Sequence, residues 1–252
     1  EQEFFQETIS RFLEGESTIG AIRNFAQGNN PDFPESIHSG LLELGINGLI
    51  IPEEYGGLEQ DLLSAAAVSE TLGAGVAISP FIGSYVMAPY AIIKAGSEAQ
   101  KDKYLKGIVE GSVSFGVGLT EFVASREGAK ITIESGKANG RALFVFDANN
   151  ATHFLLSDSS GQLFIIDAKT KGLDIIELTT VDKTSNFVEL IIKDVEIDIL
   201  VNQSNHQDLA QRVVDLGRLL IAADSLGASQ AMINKSVSYS KERKQFGRVI
   251  GS

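Results

Sequence analysis

The repeat distance of apolar residues changes twice along this chain, and that order of patterns limits the fold more than any single motif. Over residues 1–111 the spacing is helical. Phe4, Phe5, Ile9, Phe12 and Leu13 fall near one helix face. Ile37, Leu41, Leu42 and Leu44 repeat the spacing, and Gly45 is a helix stop. The Ala-rich stretch from Asp61 to Leu72 ends at Gly73, with Asp61 placed as its N-cap. Ser79 to Ala95 is apolar on most sides and predicts a buried helix. Ser97 followed three residues later by Gln100 has the character of a capping box.

Over 112–202 the pattern becomes that of strands. Val113 to Leu119, Arg141 to Phe146, Thr152 to Leu156, Leu163 to Ile166 and Phe187 to Ile192 are short and rich in β-branched or aromatic residues, with turn formers between them. This predicts an antiparallel sheet or small barrel. Over 203–252 the helical spacing returns, with Leu209, Val213, Leu216, Leu220 and Ala223 on one face. Gly217 and Gly227 interrupt that face. Each costs about 1 kcal/mol against Ala in a helix. They mark either close backbone packing with a neighbour or simple loosening. The class is α+β, in three parts: an N-terminal helical domain, a middle β domain and a final long helix. A lone amphipathic helix is marginal in water, so it needs partners from further chain or from another subunit.

Composition narrows the function. Among the 252 residues the formal net charge is -12, which argues against broad nucleic-acid binding. Cysteine is absent, which excludes disulfides, thiolate nucleophiles and Cys-ligated metals. No run of about 18 apolar residues suggests a membrane span, and no signal-peptide pattern opens the chain, so the expected localisation is cytoplasmic. There is no Gly-x-Gly-x-x-Gly after a strand and no Walker loop. His38, His153 and His206 lack partners at zinc-site spacing and are expected to be structural or surface residues, so no metal site is assigned. The pair Glu53-Glu54 is expected to be solvated.

Five segments carry a resemblance. Leu41 to Gly57, reading LLELGINGLIIPEEYGG, has a helix end, an apolar hairpin-like stretch and a Pro/Gly turn, and is similar to the N-terminal signature of acyl-CoA dehydrogenases. Arg243-Lys244-Gln245-Phe246-Gly247, after the long helix, resembles the second signature of that family. Leu119-Thr120-Glu121 looks like the start of its T-E-P-x-x-G-S-D segment. The strand Gly140 to Phe146 and the stretch Lys193 to Ile197 resemble family strands in the same order.

The resemblance implies a flavoprotein whose last domain, a four-helix bundle, continues past Ser252. It implies FAD as cofactor. Leu119 and Thr120 would meet the flavin pyrimidine edge, and Phe144, Val145 and Phe146 would pack on the isoalloxazine ring. Ser125 would approach the phosphates. Arg243, whose planar fork suits oxyanions, would reach a neighbouring subunit's pyrophosphate, with Gln245 and Phe246 beside it. The alternative role for Arg243 is an ordinary ion pair.

The chain also departs from the family pattern. Phe122 replaces the Pro, and Ser125-Arg126-Glu127 stands near the place of G-S-D. Phe144 replaces the usual Trp and keeps an apolar plate. Phe146 replaces a Thr or Ser and removes a hydroxyl donor. The base of the family is a Glu, in most members within the last domain. In others it sits just before the Arg matched by Arg218, where this chain has Gly217. No catalytic residue is therefore assigned, with Asp215 or Asp224 as minor alternatives.

Two functions follow from the resemblance. The first is an enzyme that dehydrogenates an acyl-CoA and passes electrons to an electron-transfer flavoprotein. The second is a non-catalytic partner subunit, in a hetero-oligomer of family members, that completes a neighbour's FAD site. A third option is lyase or monooxygenase chemistry on the same scaffold, which nothing in the sequence selects. The donated Arg243 motif and the unpartnered helix imply a homo- or hetero-oligomer.

Overall fold

The computed structural model describes residues 2–123, 128–201 and 205–251. The chain runs through α1 (Gln2–Glu16), α2 (Ile19–Ala26), α3 (Phe33–Glu43), α4 (Leu62–Ala74), a π-helical segment (Phe81–Met87), α5 (Ala88–Ala95) and α6 (Glu98–Val109). Then follow β1 (Phe115–Gly118), α7 (Thr120–Val123), β2 (Lys130–Glu134), β3 (Lys137–Phe146), β4 (His153–Ser157), β5 (Leu163–Asp167), β6 (Leu173–Glu177), β7 (Phe187–Glu196) and β8 (Asp198–Ile199). The long α8 (His206–Glu242) leads into a small hairpin, β9 (Lys244–Gln245) and β10 (Arg248–Val249).

Local signals set the helix starts. The Asp61 carboxylate accepts the N–H of Ser64 at the head of α4, and Ser97 with Gln100 closes a complete capping box on α6. Gly45 ends α3 in the left-handed region, at φ 72°. Ile9 and Leu13 of α1 are buried, but Phe4 is 68% exposed. The stretch from Ser79 to Ala95 is buried and helical as its composition implies. Its first turns, however, are π-helical, a form that mostly occurs as single wide turns near functional sites. The run Ile46 to Ile51 forms a 3-10 turn, not a strand hairpin. Three backbone bonds from Leu58, Glu59 and Gln60 fold the next segment back onto it.

The sheet order is β6-β7-β3-β1-β4-β5-β8, with β2 on the first half of β3. It is mixed and not purely antiparallel, because β1 lies parallel to β4, from Phe115 beside His153 to Gly118 beside Leu156. Sequence spacing could not show this pair, which is made across the intervening β2–β3 hairpin. The exposed strand β6 also lacked a clear apolar alternation, since Ile175, Ile176 and their neighbours are largely exposed.

Strands β4 and β5 are covered on both faces. Leu155, Leu163 and Ile165 pack with the helices, while Phe154, Leu156, Phe164 and Ile166 pack with Val145, Val188 and Leu190 on the far side. Burial of each such side chain stabilises the fold by roughly 1.5–3 kcal/mol. On the helical side α8 crosses α4, and Ser69 Oγ donates to the carbonyl of Leu220 at 2.8 Å. A Cβ on Gly227 would meet the carbonyl oxygen of Glu70 at 1.8 Å, and one on Gly73 would meet that of Asp224 at 2.0 Å. Close packing, not loosening, is therefore the reason for Gly227.

Candidate functional site

The candidate site grows from an irregularity in β3. Ala142 pairs with Leu190 and Val145 with Val188, so Leu143 and Phe144 together face the single residue Glu189. This is a β-bulge, a device that re-aims side chains. Phe144 takes φ 54° there, unusual for an aromatic residue, and its side chain is 44% exposed.

Two contacts hold the bulge. Glu189 is buried and receives both Nε and Nη2 of Arg141, the latter at 2.7 Å. Such a bidentate pair fixes geometry as well as charge. From the other side, the Thr120 hydroxyl donates to the Leu143 carbonyl. Thr120 opens the short α7, directly after Leu119 at the end of β1, and Val117 of β1 pairs with Phe146. The structure thus joins Thr120 to the bulge beside Phe144 and sets Leu119 and Phe146 on the helical side of the sheet, whereas Val145 packs in the cluster on the far side. Leu119 and Val145 are both buried, in these two separate clusters.

Phe146 closes β3, and its ring packs toward the helical core near Gly83. The next residue, Asp147, accepts the N–H of Gly83 at 2.6 Å. Asp147 and Gly83 were not singled out in the sequence. They lie 64 positions apart, so no local pattern connects them. Beside Thr120, the Glu121 carboxyl turns inward. Among the described residues its Oε2 has no hydrogen-bond partner, and burial raises its pKa, opposed by the Ile131 backbone and assisted by the Asp158 charge. Ser125 lies outside the described residues.

Arg243, Gln245 and Phe246 are exposed in a separate place, the hairpin after α8. Gln245 pairs with Arg248 across a two-residue turn, Phe246-Gly247, in which both residues have positive φ. This is the pattern of a tight type I′ hairpin, with Phe instead of the usual Asn or Asp in its first place. The turn presents the whole Phe246 side chain to solvent. Among the described residues Arg243 makes no ion pair; its N–H bonds the Tyr239 carbonyl and ends the helix.

The remaining candidates have structural explanations. His38 Nδ1 and the Tyr85 hydroxyl are 2.6 Å apart, and burial lowers the His38 pKa. His153 sits edge-on to Tyr104, and burial lowers its pKa too. Asp215 is exposed and paired with Arg218. Asp224 has its pKa raised by burial against α4. At Gly217 a Cβ would lie 2.7 Å from Met87 Sδ, so a side chain there would require the flexible Met87 thioether to shift. Two surface hollows, of about 580 and about 210 Å³, lie on the helical layer and are lined by none of the candidate residues. Among the described residues there is no cluster of three His, Asp or Glu able to hold a metal, and no helix is long and apolar enough to cross a membrane.

Residues 1–112 match the acyl-CoA dehydrogenase N-terminal domain, and residues 208–252 match the acyl-CoA dehydrogenase C-terminal domain. The chain belongs to the acyl-CoA dehydrogenase family.

The short-chain specific acyl-CoA dehydrogenase of Megasphaera elsdenii is 32% identical over 240 residues, covering 83% of this chain and 61% of that protein. Subunit CarC of the caffeyl-CoA reductase-Etf complex of Acetobacterium woodii is 28% identical over 247 residues, 87% of this chain and 63% of that one. The solved structure of butyryl-CoA dehydrogenase from Megasphaera elsdenii has a TM-score of 0.83 at 27% identity, covering 99% of this chain and 71% of that chain. The chain thus spans less than two thirds of the length of both curated relatives. Helices, central mixed sheet and final long helix follow the acyl-CoA dehydrogenase fold in order.

Proposed function

We propose that this chain belongs to an FAD-dependent enzyme that dehydrogenates an acyl-CoA thioester between its α and β carbons and passes the electrons to an electron-transfer flavoprotein. The observation that carries this reading is the bulge of β3, pinned by Thr120 and by the Arg141–Glu189 pair, which presents Phe144 at a ledge of otherwise apolar residues. A fixed aromatic face beside buried aliphatic side chains suits a flat ring system.

Bound FAD would supply the two-electron acceptor. Phe144 and Phe146 would hold the ring, Leu119 would keep water from beneath it, Val145 would offer only its backbone, and the backbone around Thr120 would meet the polar edge of the ring. Ser125 stands as a candidate phosphate contact. Arg243, exposed at the outer end of α8, would serve a pyrophosphate of another subunit, with Gln245 and Phe246 beside it. The name of the Acetobacterium woodii relative, a subunit of an Etf complex, supports the electron-transfer partner.

A second reading is favoured by Gly217. Glycine has no side chain, so α8 offers no base at that position, and the Met87 thioether lies beside it. Together with Phe146 in place of a hydroxyl donor, this supports a non-catalytic subunit that lends its Arg243 hairpin to a homologous partner.

The test is the visible spectrum of the full-length protein, purified alone and after co-expression with a family member. Flavin bound to the protein alone and bleached by an acyl-CoA supports the enzyme. Flavin held only by the co-expressed pair supports the partner role. A colourless preparation in both cases overturns the flavin reading.

A further inference from the structure

The sheet ends on a very short strand. β8 is two residues long and pairs with β5 only at Asp198 beside Ile165 and Ile199 beside Phe164. A strand of that length gains little from its own ladder, and an edge strand leaves backbone groups open. Yet β8 governs the way into α8, because only residues 200–205 separate the two. Leu200, directly after β8, is buried, and its N–H bonds the Leu163 carbonyl at 3.1 Å.

A further hold on β8 comes from α6. Gln100 is buried in the first turn of that helix. Its Oε1 accepts the Ser97 N–H at 2.8 Å, as half of the capping box. Its Nε2 donates to one oxygen of the Asp198 carboxylate and, at 2.8 Å, to the Ile199 carbonyl. The Ser97 donor and the Ile199 acceptor together fix which end of the amide is which. Both Nε2 hydrogens are thus used. One side chain ties the start of a helix to the backbone of an edge strand 99 positions away.

One turn along α6, the Tyr104 hydroxyl donates to the second oxygen of Asp198 at 2.7 Å. Burial and the bond to Asp198 push the Tyr104 hydroxyl pKa up, so it stays a donor. Lys103 Nζ donates to the same hydroxyl at 3.1 Å and lies over the Tyr104 ring. That ring meets Phe115 of β1 and His153 of β4 edge-on.

α6 is itself held at both ends by the segment Leu41 to Gly57, to which the candidate site gives no role. The buried Asn47 side chain donates to the Ile108 and Val109 carbonyls at 2.6 and 2.9 Å, in the last turn of the helix. The Tyr55 hydroxyl donates to Glu98 in the first turn at 3.1 Å.

We propose that Gln100 and Asp198 form a latch through which the helical domain seats β8 and so sets where α8 leaves the sheet. The latch takes no part in chemistry and does not depend on the flavin reading. It gives the Leu41 to Gly57 segment a task, which is to steady the helix that carries the latch.

Exchanging donor and acceptor tests it. Gln100→Glu keeps an oxygen for the Ser97 N–H, and Glu suits that place in a capping box. It removes the donor and sets a second carboxylate against Asp198. Adding Asp198→Asn restores a donor from the opposite side. Hydrogen exchange of the full-length protein reads the result at two amides. One is Leu200, next to β8; the other is Lys101, whose N–H bonds the Ser97 carbonyl in the first turn of α6. In Gln100→Glu we expect Leu200 to exchange about ten- to hundredfold faster, as for the loss of a hydrogen bond to a charged group, while Lys101 stays within about threefold of the parent. In the double variant Leu200 exchanges more slowly than in either single variant. Parent-like exchange of Leu200 in Gln100→Glu overturns the latch. So does equal acceleration of Lys101, which is the mark of a frayed helix alone, and so does a double variant no slower than the singles. If Gln100→Glu does not fold, Asp198→Asn is compared with the double variant at the same amide, and the double variant must be the slower.

Discussion

Gly227 of α8 rests directly on the carbonyl of Glu70 in α4, where even a methyl group would sit 1.8 Å from the oxygen. Gly73 meets Asp224 in the reverse sense at the same crossing. Two helices therefore touch backbone to backbone, and Ser69 bonds the Leu220 carbonyl one turn away.

Gly227→Ala is expected to destabilise the chain even though Ala favours a helix by about 1 kcal/mol. Overpacking against backbone costs typically 1–3 kcal/mol and sometimes more, so the clash outweighs the propensity. Gly73→Ala behaves the same way. Denaturant unfolding of both variants measures it, and an Ala variant as stable as the parent would refute the tight crossing.

Gly217→Glu is expected to lower stability by about 1–3 kcal/mol, because the Met87 thioether must move to admit the side chain. Shortening Met87 tests that cause. In the Gly217→Glu, Met87→Ala double variant the measured loss should be smaller than the sum of the single losses, a coupling that a double-mutant cycle of melting curves reads out.

Thr120→Val removes the hydroxyl that holds the Leu143 carbonyl. The expected loss of stability is about 0.5–1.5 kcal/mol. Flavin affinity should fall more steeply than stability, since the bulge that carries Phe144 loses one of its restraints. Equilibrium dialysis with FAD, beside thermal unfolding, tests both; unchanged affinity would remove Thr120 from the ledge.

Arg243→Ala should leave the melting temperature nearly unchanged. Its side chain is exposed and outside any ion pair among the described residues, and such surface changes usually stay within about 0.5 kcal/mol. The same variant should shed flavin from the oligomer. Size-exclusion chromatography monitored by flavin absorbance compares the two. Full flavin retention would leave Arg243 without the proposed role.

The parts of this protein that the sequence determined are local or repetitive. Asp61 and Ser97 cap helices because the N–H groups they bond are only three residues away. The helical spacing of Val213, Leu216 and Leu220 marks a buried face because all three sit on one side of α8. The motif at Arg243 to Gly247 forms a compact hairpin because its turn residues need only each other.

Tertiary structure alone decided the rest. The parallel pairing of β1 with β4, the seating of Met87 in the space beside Gly217 and the reach of Asp147 to Gly83 all join residues far apart in the chain. Each depends on which surfaces close packing brings into contact, and a one-dimensional pattern of apolar and polar residues carries no record of that choice. The ledge is the clearest case. Its aromatic residues were visible in the sequence, but the bulge that turns Phe144 outward is held by Glu189 of β7, paired with Arg141 of β3 itself, and by Thr120 of α7.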